Sequence, residues 1–347
     1  TLDALNGNSK SVTFNLVTDS YQNLTNTNKA GTNNVNIVGK TVVVDTNTAA
    51  ITVQNGVDLE AVIKANGSGS LTYNKLSDDA DNLTAARTAS GQLADITGKT
   101  VEITGATDLD KLATIITNTG NVNLVTHSAV TDSYADLISN KAGSRNVHIV
   151  GKTVTANTAM SLQNGIDLRT IITAGGQGSL ANTLVNDTAL NLYNGATGQN
   201  AHNANNDYTG KTINISNAAT SLQYATIIAE AGNANLVTGS VEDNVAGLST
   251  NRDLSNASSV KVTLTSDTKD LSAVALDSEV TIIDMDSLSG VKGQIADFSG
   301  KTLQNIGDYT IIDTAANILA ATTYRTANAG NKKSDYIALY GAKNIIA

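Results

Sequence analysis

The sequence repeats itself over a long distance, and this feature constrains the fold more than any other. Residues 35–42 (VNIVGKTV) return as residues 147–154 (VHIVGKTV), at an offset of 112 residues. Residues 17–21 (VTDSY) return as residues 130–134, at an offset of 113 residues. Self-similarity at a fixed offset is typical of chains built from supersecondary units that pack on their neighbours. The duplication therefore predicts a repeat architecture.

A shorter motif, Gly-Lys-Thr, marks units inside the duplication. Successive copies are spaced by 59, 53, 59 and 90 residues. Their glycines are Gly39, Gly98, Gly151, Gly210 and Gly300. Four units in 112 residues give a unit of about 28 residues, within the range of known repeat proteins. Each unit reads as a strand, a turn, a second strand and a short helix.

The clearest helix is predicted over residues 107–116. Its apolar side chains recur at helical spacing and form one stripe. These residues are Leu109, Leu112, Ile115 and Ile116. Thr107 can cap the start of the helix, and Gly120 suits the left-handed position that ends one. The helix therefore has a start signal, a buried face and a stop signal.

The composition favours a narrow core that is rebuilt in each unit. The chain is 40% hydrophobic, but it contains 2 Phe, 2 Met and no Trp, so its core must be aliphatic. Proline is absent, which suits strands that pair on both sides. We predict a repeat solenoid, a parallel β-helix-like stack of about 28-residue units, either all-β or mixed α/β. A globular α/β domain with a doubly wound sheet is the alternative, although its buried strands should be more continuously apolar.

The duplication also predicts how the chain is divided. Residues 1–250 form the repeat solenoid, with a polar loop expected at residues 195–206. Residues 251–347 read as a divergent continuation, with one of its helices predicted over residues 287–297. Neither end shows an evident polar cap, which suggests truncation or end-to-end contact with another molecule. The first residue, Thr1, leads us to expect a processed product or a fragment of a longer protein.

The sequence lacks the motifs of common enzyme classes. A phosphate-binding P-loop needs a glycine five positions before Gly-Lys, and all five copies lack it, so we interpret Gly-Lys-Thr as a turn between strands. With 0 Cys, there is no disulfide, thiolate zinc site or cysteine nucleophile. His127, His148 and His202 lie far apart and suggest no triad. We therefore predict no catalytic residues and no enzymatic activity.

Two acidic clusters are the metal candidates. Calcium prefers several oxygen ligands from one compact loop. The candidate ligands are Asp78, Asp79, Asp81, Asp284 and Asp286. Helix capping is the alternative role for these aspartates, because each precedes or opens a predicted short helix.

Charge and hydropathy limit the partners. The net charge of −9 and the pI of about 4.7 argue against nucleic acid, which binds basic surfaces. No window approaches the 18 or more apolar residues of a membrane span. A cysteine-free chain is common among exported bacterial proteins, so we expect an extracellular, cell-surface location.

The repeat units resemble the repetitive parts of bacterial surface-layer proteins and of large RTX-associated adhesins. The resemblance lies in the VTDSY and VxIVGKTV units and in residues 312–318 (IDTAANI). The glycine-rich calcium nonapeptides of RTX proteins are missing. The resemblance, the tandem units and the uncapped ends imply a non-enzymatic extracellular structural protein. It would be a self-assembling or stalk-like segment of a surface layer, filament or adhesin, whose partners are copies of itself and cell-surface glycan. The alternative is a phage or bacterial fibre that binds or cleaves a polysaccharide.

Overall fold

The computed structural model describes most of the chain, in eleven ranges. These are residues 14–25, 37–47, 49–85, 95–139, 148–174, 176–198, 208–250, 252–272, 274–322, 338–339 and 341–347. The chain divides into two compact units. Unit 1 comprises Thr1–Thr158 and Asp167–Ala181, and unit 2 comprises Ala159–Ile166 and Asn182–Ala347.

The first half of the chain contains ten strands and six helices in its described part. The strands are β1 (Leu16–Asp19), β2 (Thr41–Val44), β3 (Ser70–Thr72), β4 (Lys75–Asp78), β5 (Thr100–Ile103), β6 (Ala106–Thr107), β7 (Val125–Thr126), β8 (Ala129–Asp132), β9 (Thr153–Ala156) and β10 (Ser179–Asn182). The helices are α1 (Tyr21–Thr25), α2 (Val53–Ile63), α3 (Ala80–Ala85), α4 (Leu109–Thr119), α5 (Tyr134–Ile138) and α6 (Leu162–Thr173). The strands form three sheets, ordered β1-β2-β3, β4-β5-β7 and β6-β8-β9-β10.

The second half has ten strands and five helices among its described residues. The strands are β11 (Leu184–Asp187), β12 (Thr212–Ile215), β13 (Val237–Thr238), β14 (Ser240–Asn244), β15 (Ser259–Thr263), β16 (Ile282–Asp284), β17 (Val291–Gly293), β18 (Thr302–Gln304), β19 (Tyr309–Ile312) and β20 (Asn344–Ile346). The helices are α7 (Ala189–Thr197), α8 (Ser221–Ala231), α9 (Val245–Leu248), α10 (Ile295–Phe298) and α11 (Ala315–Thr322). The strands form three sheets, ordered β11-β12-β13, β14-β15-β16-β18 and β17-β19-β20.

The predicted fold class, a repeat solenoid in the form of a parallel β-helix-like stack, is wrong. The part of the chain that the structure describes forms six separate parallel sheets of three or four strands, mixed with eleven α-helices. A continuous stack needs one repeated cross-section with a constant length. Here aligned residues on paired strands are separated by as few as 18 residues, between β17 and β19, and as many as 34, between β19 and β20. The about 28-residue unit inferred from Gly-Lys-Thr is therefore not a common period.

Aliphatic side chains from the strands and the helices form most of the core, as the composition predicts, and Tyr208, Tyr224 and Phe298 are buried with them. The residue that follows the threonine of Gly-Lys-Thr is buried in four of the five copies. These residues are Val42, Val101, Val154 and Ile213, each with 0% of its surface exposed. Because side chains alternate across a strand, the preceding threonines are exposed and face the other side. Full burial of such a side chain stabilises the fold by roughly 1.5–3 kcal/mol.

The structure confirms that Gly-Lys-Thr is a turn leading into a strand, but the prediction that a strand also precedes it is wrong at Gly300, which follows helix α10. The five glycines have φ values between 69° and 74°, a left-handed conformation that suits glycine. The N–H of Gly151 donates to the carbonyl of Ile172 at 2.8 Å, so the turn also accommodates the end of helix α6. The N–H of Thr153 donates to Ser128 at 3.0 Å as the threonine enters β9. The motif is therefore a folding signal.

Individual helices were predicted with mixed success. The helix expected at residues 107–116 is confirmed as α4, which ends at Gly120 with φ 77°. The predicted cap, Thr107, is wrong, because Thr107 lies in β6 and Asp108 caps the helix. The helix expected at residues 287–297 is wrong, because Ser287 and Gly290 have positive φ and residues 291–293 form β17. Only α10 remains of that prediction. Residues 195–197 of the predicted polar loop belong to α7, and residues 199–206 lie outside the described residues.

Candidate functional site

Six aspartates share one position in the fold, within one residue of the end of a strand and before a short helix. They are Asp19, Asp78, Asp132, Asp187, Asp243 and Asp313. In each, Oδ1 accepts a hydrogen bond from the N–H of the next residue, at 2.7–2.9 Å. An aspartate oxygen in this position fixes the entry of the chain into the following helix, as an N-cap does.

Five of these carboxylates also bind a second, distant helix. The Oδ2 atom of Asp132 accepts from the N–H of Leu109, the first residue of α4, at 2.9 Å. The Oδ2 atom of Asp313 accepts from the N–H of Ile295, the first residue of α10, at 3.0 Å. Asp78, Asp187 and Asp243 bind the first residues of α2, α6 and α8 in the same way, at 2.9–3.0 Å. We call this arrangement, in which one carboxylate joins two helix starts, the aspartate interlock.

The interlock suits an ionised carboxylate. Helix starts carry free N–H groups and a partial positive charge, and both stabilise an anion. Burial raises the pKa of Asp313, but hydrogen bonds from the Asn317 side chain and from the N–H groups of Ile295 and Thr314 outweigh it. The pKa of Asp313 therefore lies below its ordinary value. Charge-assisted hydrogen bonds of this kind are roughly twice as strong as neutral ones.

The first group of calcium candidates lies around one interlock. Asp78 is its central carboxylate. Asp79 accepts from the N–H of Asn82 at 2.8 Å and from the Asn82 side chain at 3.1 Å. Asp81 points to Lys111, whose Nζ lies 2.8 Å from Asp81 Oδ1. These carboxylates therefore contact N–H groups and an ammonium group.

The second group of calcium candidates lies at the end of β16. Asp284 Oδ1 accepts from the N–H of Asp286 at 3.0 Å and from Asn305 Nδ2 at 2.8 Å. Burial raises the pKa of Asp284, but these bonds and Lys261 outweigh it, so the pKa is lowered. Across the described ranges, no group of three or more His, Cys, Asp or Glu side chains could hold a metal ion. Calcium at these aspartates stays a prediction.

The structure brings two of the three histidines together. The rings of His127 and His148 are 6.4 Å apart, and His127 Nε2 lies 2.8 Å from the carbonyl of His148. That nitrogen must carry the proton, which leaves the buried Nδ1 atom of His127 without a hydrogen-bond partner. His202 lies outside the described residues. Because the His127 ring donates to a backbone carbonyl, we infer that His127 and His148 stabilise the fold.

A cavity of 370 Å³ in unit 2 is apolar on most of its wall. Phe298 and Tyr309 line it with their ring centroids 4.9 Å apart. The one charged group on its described wall is Lys301, and burial lowers the pKa of this amine. Lys301 Nζ donates to the carbonyl of Val280 at 2.7 Å, much as Lys152 Nζ donates to His127 at 2.8 Å. The lysine of Gly-Lys-Thr thus holds a neighbouring chain segment in both places.

Each sheet in the described part of the chain ends in two edge strands, and β1 and β20 are the first and the last strands of the chain among them. Among the described residues, β1 pairs with β2 alone and β20 pairs with β19 alone. Ile345 of β20 is aligned with the fully buried Ile311, yet 48% of its surface is exposed. Val17 of β1 is aligned with the fully buried Val42, yet it is only partly buried. Each open edge therefore leaves a core row uncovered on one side.

An open edge can pair with a strand of another molecule. Its unpaired N–H and C=O groups can hydrogen-bond to a strand of another molecule, and exposed apolar residues favour that contact. All three residues of β20 are exposed, including Ile346 at 52%. Neither edge carries a lysine within the strand itself, the side chain that most often protects such edges. The open edges are the candidate functional site.

Sequence reasoning missed the six-fold pattern behind the interlock. The pattern is an aliphatic residue, any residue, Asp, a capping residue and then Tyr, Ala or Val. The sequence analysis singles out the VTDSY copies and residues 312–318 alone, because the other copies differ at the middle and last positions of the pattern. Aligning all six aspartates would have found it.

Comparisons with known proteins found no similarity to this chain: no family model, no curated protein and no solved structure matches it. Within the described part of the chain, no helix is both long enough and apolar enough to cross a membrane. The function must therefore be argued from the geometry.

Proposed function

We propose that this protein is a non-enzymatic, extracellular structural protein that self-assembles, as a segment of a bacterial surface layer, filament or adhesin. The observation that carries the proposal is the pair of open edges, β1 and β20, each with an uncovered core row. An assembly would pair these edges and bury their apolar residues, which monomeric proteins normally protect. The main partner is a second copy of the chain, and cell-surface glycan is the expected attachment.

The use of the polar residues supports a structural role. Carboxylates are among the side chains that act as catalytic acids and bases. Here they form the interlock and ion pairs such as Lys75–Glu102 and Lys261–Glu242. Asn214 Nδ2 donates to Asn186 Oδ1 at 2.9 Å between paired strands β12 and β11. Such contacts between neighbouring strands stabilise a sheet. The acidic, cysteine-free composition fits an exposed location outside the cell.

The proposal is tested by following assembly of the purified chain. Light scattering and negative-stain electron microscopy over a concentration series should show ordered assemblies above a critical concentration. Ile345→Lys should raise that concentration at least tenfold, because it places a charge on the open edge of β20. Leu319→Lys is the matched control, since Leu319 is 65% exposed on α11 and lies on a helix. A chain that stays monomeric at every concentration would refute the proposal.

A further inference from the structure

We infer that β20 of one copy pairs in parallel with β1 of a second copy, with Ile345 beside Val17 and the Asp19 carboxylate bound to the N–H of Ala347. This inference rests on the proposed function, because it names the contact through which copies join. It commits to one partner, a second copy, and to one register. Three features of the described residues support it.

The first feature is an alignment rule within the interlock. Ile311 is aligned with Gly293, so two residues further on Asp313 is aligned with Ile295, whose N–H it binds at 3.0 Å. In the same way, Ile51 is aligned with Leu76, so two residues further on Val53 is aligned with Asp78. The N–H of Val53 donates to Asp78 Oδ2 at 2.9 Å. Asp132, Asp187 and Asp243 likewise lie two residues after an aligned pair, and each binds the N–H of the residue aligned with it. Each carboxylate therefore binds the N–H of the residue aligned with it on the adjacent segment.

Among the described residues, Asp19 is the one member of the set for which no such partner is present. Its Oδ1 atom accepts from the N–H of Ser20 at 2.8 Å and from Asn23 Nδ2 at 2.7 Å, as in the other copies. No helix start in the described ranges donates to its Oδ2 atom. A strand that pairs with the free edge of β1 would place an N–H there. If Ile345 lies beside Val17, the aligned residue is Ala347.

The second feature is the core row. Val17 and Ile345 both continue rows that are fully buried one strand further in, at Val42 and Ile311. Pairing them side by side covers both exposed ends of these rows. A slip of one residue would place Ile345 beside Thr18 or Leu16, which belong to the opposite face. The core row and the interlock therefore select the same register.

The third feature is the polarity of the two edges. Both sheets consist of parallel strands, and parallel strands joined by helices are almost always connected in a right-handed sense. Viewed from the core, the later strand then lies on the same side of the earlier one in each sheet. Within its own sheet, β1 is therefore free on the side where an earlier strand would lie, and β20 is free on the side where a later strand would lie, so β20 of one copy can pair with β1 of another. Such a heterologous contact can repeat from copy to copy and yield assemblies larger than a dimer.

Cysteine cross-linking tests the register directly, because the chain has 0 Cys. Thr18→Cys with Ile346→Cys places the two thiols side by side across the proposed contact, within disulfide reach. Mild oxidation at an assembling concentration should then give a ladder of dimers, trimers and larger species on a non-reducing denaturing gel. The matched control, Thr18→Cys with Lys343→Cys, shifts one thiol by three residues, about 10 Å along the strand. It should give no ladder.

The outcomes separate the inference from the proposed function. Assemblies by microscopy without a ladder from the aligned pair would overturn this contact and leave self-assembly standing. Dimers from Ile346→Cys alone, in place of a ladder, would also overturn it, because they would show that two copies of β20 pair with each other. The absence of any assembly would overturn both.

The carboxylate gives an independent readout. Asp19→Asn should raise the critical concentration at least tenfold while the circular dichroism spectrum of the monomer stays unchanged. Asp267→Asn removes the same charge from an exposed loop position and should leave the critical concentration unchanged. Equal effects of the two substitutions would show that net charge alone matters, and would overturn the assignment of Asp19.

Discussion

At the scale of single residues, the interlock explains how short elements hold together. Helices of four to six residues, such as α5, are too short to be stable alone in water. A carboxylate that binds two helix starts supplies each with a charge-assisted hydrogen bond. One aspartate thus stabilises its own helix and another that lies 18 to 25 residues earlier.

Removal of an interlock carboxylate should cost more than removal of a simple cap. Asp132→Ala deletes the bonds to Ser133 and Leu109, so we expect a loss of about 2–3 kcal/mol in the free energy of unfolding. Asp19→Ala, the matched control, deletes only local bonds and should cost about 1 kcal/mol in the monomer. Urea unfolding below the assembly concentration measures both. Equal losses would contradict the two-helix role.

His127 should make the fold less stable in mild acid. Burial lowers its pKa more than the bond to the His148 carbonyl raises it, and Lys152 and His148 lower it further. The unfolded chain, with a histidine pKa of about 6.5, therefore binds more protons than the folded chain just below that pH. Stability should fall as the pH drops through about 6.5 and level off below the folded pKa.

The control for this prediction is His127→Gln, which keeps a donor for the His148 carbonyl and does not titrate. The midpoint of urea unfolding, measured at pH 7.5 and pH 5.0, should shift less in the variant than in the parent chain. An unchanged shift would assign the pH dependence to other groups.

At the scale of elements, tight approaches between turns set the strictest requirements. Gly178, before β10, has φ 114°, and a Cβ built there would lie 2.9 Å from the Ile172 carbonyl oxygen and 3.1 Å from Gly151 Cα. Gly178→Ala should therefore cost clearly more than the roughly 1–2 kcal/mol of a left-handed backbone alone. Gly67→Ala is the control, because Gly67 has φ 82° and open space around it. Thermal unfolding of the two variants should differ, and equal melting temperatures would contradict the close contact.

Signals confined to one element could be predicted from the sequence. Helix α4 combines an apolar stripe with a stop glycine, and the Gly-Lys-Thr turn needs only a glycine with positive φ. The helix expected at residues 287–297 failed because helical spacing of apolar residues does not reveal that Asp286 and Ser287 adopt left-handed conformations. Local periodicity is informative only where the backbone is regular.

The candidate site was harder to predict, because its partners are distant in sequence. The carboxylate of Asp187 binds the N–H of Leu162, 25 residues earlier, and nothing near either residue indicates that pairing. The uncapped ends were noticed in the sequence, but which strand is an edge depends on sheet order. Because β1 and β20 are edge strands in that order, Val17 and Ile345 are less buried than the residues aligned with them.

At the scale of the whole molecule, the fold class could not be inferred from the duplication. A repeated sequence fixes which local units recur, but it does not fix how many strands one sheet contains. In the described part, each sheet ends after three or four strands. The spacing of the Gly-Lys-Thr copies gives only an average unit length, so it does not reveal where each sheet ends.

The net negative charge should oppose assembly, and added salt should weaken the repulsion between copies. Each copy carries a net charge of −9, so copies repel one another in dilute buffer. Raising the ionic strength from 0.01 M to 0.15 M shortens the screening length from about 30 Å to about 8 Å. The critical concentration measured by light scattering should therefore fall as salt is added. A rise would indicate that the copies are joined mainly by ion pairs.

The interlock also imposes an order on how the chain can mature as it is made. The start of α4 receives its acceptor only when Asp132 has emerged, 23 residues later. At a synthesis rate of about 5–20 residues per second, that delay is roughly 1–5 s. Each helix start therefore waits for the next strand, and completion travels from the N-terminus toward the C-terminus. A chain that leaves the ribosome or a secretion channel in that direction can finish one segment before the next arrives.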